Sequence, residues 1–528
     1  IFSSGGTINV YDGTFKAGEE KAVVKADLDL NSYPAATANI NIYGGDFTGK
    51  IDIADKEEVH VEITGGTFAD TGLTKEAFSA YTAEGTVVTE GPDGTFTVKE
   101  LDETNGVAEV GGKYYASLQK AVDNAGKGET VTLLQDTAED IVIPEGAELT
   151  LNLNGKTLTN HEDHTITNKG TLTITGGGTV DNVTHARAAI QNEPGGNVVL
   201  NGGAYTRSKE NGQNAEASGG NSYYNIVNHG TMEINSGVSV TQNGQFSSMI
   251  ENGWYNGSQN TGKENSVLTI NGGTFSGGLN TIKNDDYGEL AINDGTFTSM
   301  SQAAFLNWNV ATVNGGTFVA AGASNGVILN GYIDGTMDQG KLTINGGTFE
   351  THCNVGGTTL YNGVGGTMTI NGCVVNADFF AINNEGDMEI NGGEFHSTST
   401  NEPGTFAYCV RNYANMTIND ATITGIQGAL ASASGVLKVY DGHFSTEWGN
   451  SRSFYIAGEQ DVVTGYIYGG TYSSPKYAIY IGNDNKGGDG GINADATTFV
   501  YGGTYNGGIS AIYRAQQTGN PYVSGGTF

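Results

Sequence analysis

The chain has 528 residues, 83 of them glycine and only 7 proline, and a formal net charge of −33. So little proline, with no Gly-X-Y period, excludes collagen and proline-rich linkers. Only 24 lysines and arginines face 57 acids, which excludes nucleic acid as a partner, because its phosphates attract the opposite charge.

From the N-terminus, one phrase returns: apolar–x–apolar–(Asn/Tyr/Thr)–Gly/Asp–Gly–x–aromatic. It reads INVYDGTF at Ile8–Phe15, INIYGGDF at Ile40–Phe47 and VEITGGTF at Val61–Phe68. A fixed phrase recurring every few tens of residues is the mark of a solenoid, in which each repeat buries its apolar face only against its neighbours. The stretch Asp70–Tyr81 and the polar, turn-rich passage after it would close this first stack, giving residues 1–98 as the C-terminal part of a first β-helix and residues 99–106 as a linker. Tyr115, Leu118, Ala121, Val122 and Ala125 then keep helical spacing, with Gly126 placed as a C-cap. A short helix over residues 115–126 is what an exposed solenoid end needs, since an uncovered core aggregates. The fold class expected is therefore all-β: a right-handed parallel β-helix as two consecutive domains, the second (residues 107–528) opening on this capping helix.

Within the second domain the phrase returns as LTINGGTF at Leu268–Phe275 and again at Leu342–Phe349. One rung reads in full: Ala303–Asn307 as a first strand, Trp308–Asn309 as a turn, Val310–Val313 as a second strand, Asn314–Gly316 as a corner, and Thr317–Phe318 opening a third. Alternation with period two turns Phe318 inward, beneath the aromatics of neighbouring rungs. A row of asparagines, Asn168, Asn192, Asn228, Asn252, Asn284, Asn307, Asn330, Asn362, Asn383 and Asn412, ends the first strand of successive rungs and is expected to stack as an amide ladder. Asn201, Asn271, Asn314, Asn345 and Asn391, after the second strand, are assigned to the positive φ of a corner.

The three cysteines, Cys353, Cys373 and Cys409, cannot all pair, and small buried thiols are the expectation. No run is apolar and long enough to span a membrane, so membrane insertion is not expected. The chain opens and closes within a repeat and reads as a fragment, so missing targeting signals say nothing about location.

Taken together, YYASLQKAVDNAGKGETVTLLQD, LTLNLNGKTLTN and the repeated INGGTF resemble the right-handed parallel β-helix regions of large bacterial cell-surface and secreted proteins, commonly from Gram-positive anaerobes. Pectate lyases and polygalacturonases share that broad fold. The resemblance implies an extracellular, cell-surface or secreted protein, and it is silent on activity, because the fold hosts enzymes, adhesins and passive stalks alike.

The enzymatic motifs of that fold are weakly represented. An Asp285–Asp286 pair and Asn228-His229-Gly230 occur in the wrong order for a polygalacturonase, and a solvated turn is the favoured reading of the first, an exposed turn residue that of His229. Arg187, Arg411, Arg452 and Arg514 are isolated candidates for a lyase base. No cofactor is expected; Asp484, Asn485 and Asp489 in GNDNKGGDGG offer oxygen ligands of the kind Ca²⁺ prefers, although a plain loop fits better.

The more informative signal lies in the turns after the asparagine row. Trp254 and Tyr255 follow Asn252, Asp285, Asp286 and Tyr287 follow Asn284, Trp308 follows Asn307, Tyr332 follows Asn330, and Tyr413 follows Asn412. Stacked turns would line one edge with aromatics and acids (Asp334 and Glu385 among them), a platform for glycans or surface proteins. The competing reading has these rings capping turns and covering the ladder. The longer turns Arg207–Ser222 and Trp254–Ser266 would stand out from the shaft. The expected function is a non-catalytic structural or adhesive surface protein whose β-helix displays turns for glycan or protein binding. The alternative is a carbohydrate-active enzyme, a polysaccharide lyase or glycoside hydrolase, on the same fold. End-to-end self-association is a further expectation.

Overall fold

The computed structural model describes the whole chain except residues 30, 213–222, 245–246, 256–261, 300–301, 321–325, 332–339, 353–356, 400–406, 459–460, 484–493 and 516. The side chains of residues 209–212 are likewise outside it. The chain forms two compact units, Ile1–Glu139 with Leu149–Lys156, and Asp140–Glu148 with Thr157–Phe528.

Three long, almost wholly parallel sheets of 18, 15 and 15 strands dominate, and the protein is a right-handed parallel β-helix. We call them sheet I (18 strands), sheet II (carrying Phe275 and Phe297) and sheet III (carrying Asn284 and Asn307). Each rung visits the three faces in turn. The rung anticipated around Trp308 is found as Ala303–Asn307 in sheet III, Val310–Val313 in sheet I and Thr317–Ala320 in sheet II.

Register explains the stacking. Leu268 pairs with Leu290 and Ile270 with Ile292 in sheet I, while Phe275, Phe297, Phe318 and Phe349 align in sheet II. These four rings stack face to face at 4.7, 4.6 and 5.0 Å between centroids and are fully buried. Each buried phenylalanine contributes about 1.5–3 kcal/mol of apolar transfer, which no isolated rung could capture. Where tyrosine replaces phenylalanine in this row the hydroxyl needs a buried partner. Tyr205 and Tyr472 donate to the carbonyls of Gly202 and Gly469 at 2.9 Å, and Tyr505 donates to Gly502.

In the first unit, Phe15, Phe47 and Phe68 make the same stack. The short helix Lys75–Ser79, capped by the Thr74 hydroxyl, brings Phe78 onto Phe68 and Phe96. Strands Thr86–Glu90 and Phe96–Glu100 pair antiparallel, and Phe96–Val98 also pairs antiparallel to Gly66–Phe68, so parallel stacking stops there. Tyr115 ends a strand, Lys113–Tyr115, and the following helix is Leu118–Asn124, narrower than the 115–126 read from spacing. Its start is set by the Ser117 cap and by Glu139, whose carboxylate accepts from the Ser117 hydroxyl and from the Leu118 and Gln119 N–H groups. Among the described residues no helix is long and apolar enough to cross a membrane. Cys373 and Cys409 are free and buried, and burial pushes both thiols up, Cys373 to about 12; Cys353 lies outside the described residues.

Candidate functional site

The site is built on the asparagine ladder of sheet III. Asn168 donates its amide to Asn192, and the chain of donations passes through Asn228, Asn252, Asn284, Asn307, Asn330, Asn362, Asn384 and Asn412 at 2.7–2.9 Å, ending on the Ser432 hydroxyl at 3.0 Å. The member in the 380s is Asn384, not Asn383: Ile382 faces inward opposite Leu360, so the inward residue two positions on is 384. The ladder amides also serve the turns. Asn284 Nδ2 reaches the Gly288 carbonyl at 3.1 Å and the Val310 carbonyl of the next rung at 3.0 Å. A side chain at Gly288 would meet Asn284 Oδ1 at 2.4 Å, which fixes glycine there.

The corner asparagines behave differently from the sequence reading. None of Asn201, Asn271, Asn314, Asn345 and Asn391 has a positive φ; the left-handed residue is the second glycine, as at Gly316 (φ +101°). The asparagines form instead a second, exposed ladder, with Asn293 donating to Asn271, Asn314 to Asn293 and Asn345 to Asn314 at 2.7–2.8 Å.

The residue before each ladder asparagine points out of the coil. On successive rungs Glu251, Lys283 and Leu306 therefore align in one outer row. Turns from the same rungs close over it. The Lys283 ammonium lies 3.1 Å from Asp285 Oδ2, donates to the Tyr224 hydroxyl at 3.3 Å, and sits 4.4 and 4.9 Å from the ring centres of Tyr255 and Trp308. The Tyr255 N–H donates to Glu251 Oε1 at 3.0 Å. Glu251, Lys283, Asp285 and Trp308 are buried, whereas Tyr255 is 59% exposed at the rim. Four of the residues singled out in the sequence, Trp254, Tyr255, Asp285 and Trp308, thus gather on these three rungs.

Asp286 and Tyr287, half-buried, make the turn itself. Tyr287 takes a left-handed φ of 59°, and the Asp286 carbonyl accepts the Trp254 N–H at 2.9 Å. Trp254 is sandwiched. His229 stacks on it at 3.8 Å with planes 6° apart, and the Lys263 ammonium lies 4.0 Å from its ring centre. His229 is therefore half-buried under an aromatic ring, and burial, then the Lys263 charge, bring it down to about 4.

Tyr413 belongs elsewhere, five rungs along, or about 24 Å at the spacing of neighbouring strands. There the Arg411 guanidinium lies 4.8 Å from its ring and 4.7 Å from that of Phe380, while Tyr361 and Asn383 donate to Glu385. Tyr332 and Asp334 lie outside the described residues, as do Asp484, Asn485 and Asp489 of the calcium reading and most of the two long turns. Among the described residues no three His, Cys, Asp or Glu side chains gather as a metal site. Arg187 pairs with Asp163 at 2.7 Å, Arg452 lies over Tyr480, and Arg514 donates to the Gly519 carbonyl.

Burial raises the Glu251 carboxyl to about 8 and also raises Asp285, the neighbouring carboxylate adding to the effect on Glu251 and Lys283 opposing it in both. Two carboxyls and one ammonium in an apolar pocket hold one net negative charge at most, and shed it when a proton is shared. The cluster can thus present the exposed Tyr255 ring at its rim, with the two acids and Lys283 locked beneath. The sequence pointed to the aromatics and Asp285, but missed Glu251, Lys283 and Tyr224. The signal available was positional: whatever precedes a ladder asparagine lies on the outer row. The chain matches no protein-family model, no curated protein and no solved structure.

Proposed function

We propose that this chain is a non-catalytic shaft of an extracellular bacterial surface protein, akin to the pectate-lyase-like β-helix regions it resembles in sequence, and that it binds glycans or surface proteins through its sheet III turns. The observation that carries this reading is the convergence of Trp254, Tyr255, Trp308, Lys283, Glu251 and Asp285 from successive rungs onto one spot. Only Tyr255 of these is strongly exposed, with Trp254 half-buried behind it. Long-range order along the coil holds these turns in place, and turns on a fixed scaffold are the usual home of recognition. Amphipathic rings beside the half-buried Asp286 of the turn suit sugar hydroxyls and apolar sugar faces. The net charge of −33 disfavours polyanionic ligands.

One observation favours a second reading, a carbohydrate-active enzyme. Glu251 and Asp285 share a buried environment in which one carboxyl stays protonated near neutral pH, as a general acid requires. Both stand behind Lys283 and the rings, so a substrate would have to displace that cover. The chain incubated with pectin, mucin glycans and neutral polysaccharides separates the readings. Retention on a mucin-glycan or neutral-polysaccharide matrix without new reducing ends or unsaturated products is expected. Product formation abolished by Glu251→Gln would establish the enzyme instead.

A further inference from the structure

The exposed corner ladder changes chemistry along the second unit. At the register position held by asparagine from Asn201 to Asn419, the rungs beyond carry Tyr440, Tyr468 and Tyr501. The backbone is unchanged: each tyrosine N–H donates at 2.8 Å to the carbonyl of Ile418, Val439 or Ile467 on the preceding rung, as Asn314 does to Ile292 at 2.7 Å. The three rings stack at 4.9 and 5.1 Å with planes 8° and 14° apart, and each is 42–46% exposed. A second column runs beside them on the outer face of sheet I, where Tyr466, Phe499 and Tyr522 stack at 5.3 and 5.1 Å. The columns approach to 6.4 Å between Phe499 and Tyr501. An exposed aromatic double column on so acidic a chain marks an interaction surface.

Ring orientation selects the partner. Stacked rings turn their faces to one another and present edges outward, so the ring faces on which a sugar would stack are already covered. What remains is a ribbed surface repeating about every 5 Å along the coil, the spacing of its own strands. A partner built on the same repeat can seat rib between rib over several rungs. We propose that this face docks a second copy of the chain, side by side, aromatic columns against aromatic columns. Tyr440, Tyr468, Tyr501 and Tyr522, at 42–58% exposure, offer about 400 Å² per copy if a whole ring side chain exposes 150–250 Å². That is about half of the ~800 Å² per partner of a stable complex, so the pairing is weak and concentration-dependent. Two copies at −33 repel, so added salt strengthens it.

Sedimentation equilibrium of the 528-residue chain tests this, with Tyr440→Asn/Tyr468→Asn/Tyr501→Asn as the variant. Asparagine is what other rungs carry at this position, so the fold is kept, and an unchanged melting temperature checks it. The wild type is expected to move from monomer toward dimer mass on the order of 100 μM, more so at high salt, with at least a tenfold weaker association in the variant. A monomer mass at every concentration, or association untouched by the three changes, overturns the proposal. So does loss, in the variant, of binding to a neutral polysaccharide by a wild type that stays monomeric, which would make the face a glycan site. The sheet III turns are unaltered in this variant, so their own binding is read independently.

Discussion

Asn307 shows how much one side chain carries in this fold. Its amide accepts from Asn284 and donates to Asn330 in the dry interior, and donates to the Asn309 carbonyl at the edge of the turn. Asn314, seven residues later, makes the same kind of amide-to-amide contacts at the exposed corner. The difference is water. Truncating a buried partner strands the groups it served, at about 1–3 kcal/mol each, whereas solvent replaces an exposed one. Asn307→Ala is therefore expected to lower unfolding stability by roughly 2–4 kcal/mol and Asn314→Ala by about 0.5 or less, measured as shifts of the denaturant midpoint. Equal shifts would show that the inner ladder is ornamental. At this scale the sequence was readable where the inward period of two could be counted from a neighbouring apolar residue. It misled at Asn383, where two adjacent asparagines allow a one-residue slip and Ile382 decides. It misled again at the corner, where asparagine and glycine both tolerate a left-handed backbone and only the geometry puts it on Gly316.

At the scale of the element, the sheet III strand and its turn set the chemistry. The strand places Glu251, Lys283 and Leu306 in one outer row, and the turns roof it with Tyr255 and Trp308. Glu251 holds its proton more tightly folded than unfolded, since burial raises it from 4.5 to about 8. The folded state then binds more protons between those values, so this group's contribution falls as pH rises through that window and is fully favourable only below it. Glu251→Gln keeps the shape and removes the titration. Its stability relative to wild type is expected to climb from pH 4.5 to 8; a flat difference would mean that the carboxyl is solvated and the pocket open. From sequence alone the aromatic turns stood out because they line up after the ladder asparagines, as Trp254 and Tyr255 do after Asn252 and Trp308 after Asn307. The buried charges did not, because a glutamate or lysine in a strand reads as solvated unless the covering turn is known.

Across the whole molecule, repetition made the fold legible. The INGGTF phrase specifies strand, corner and inner aromatic together, so every copy confirms the next, and Leu342–Phe349 repeats Leu268–Phe275 letter for letter. Function lacks such redundancy. Among the described residues the Lys283 cluster is found at one place, drawn from four successive rungs, and its members are separated by up to 84 residues between Tyr224 and Trp308. The same logic distinguishes the expendable from the specific. The inner amide ladder holds the rungs from Asn168 to Asn412 alike, and the proposed binding falls where the repeat is broken by Trp254, Tyr255 and the Asp285–Tyr287 turn. Trp308 is buried and its loss would disturb packing, so the rim is the better probe. Affinity electrophoresis through mucin-glycan and neutral-polysaccharide gels, comparing wild type with Trp254→Ala/Tyr255→Ala at equal melting temperature, tests this most directly. Retardation of the wild type and at least a tenfold loss of it in the variant are expected; identical mobility of the two in every gel that retards the wild type would exclude this rim as the binding site.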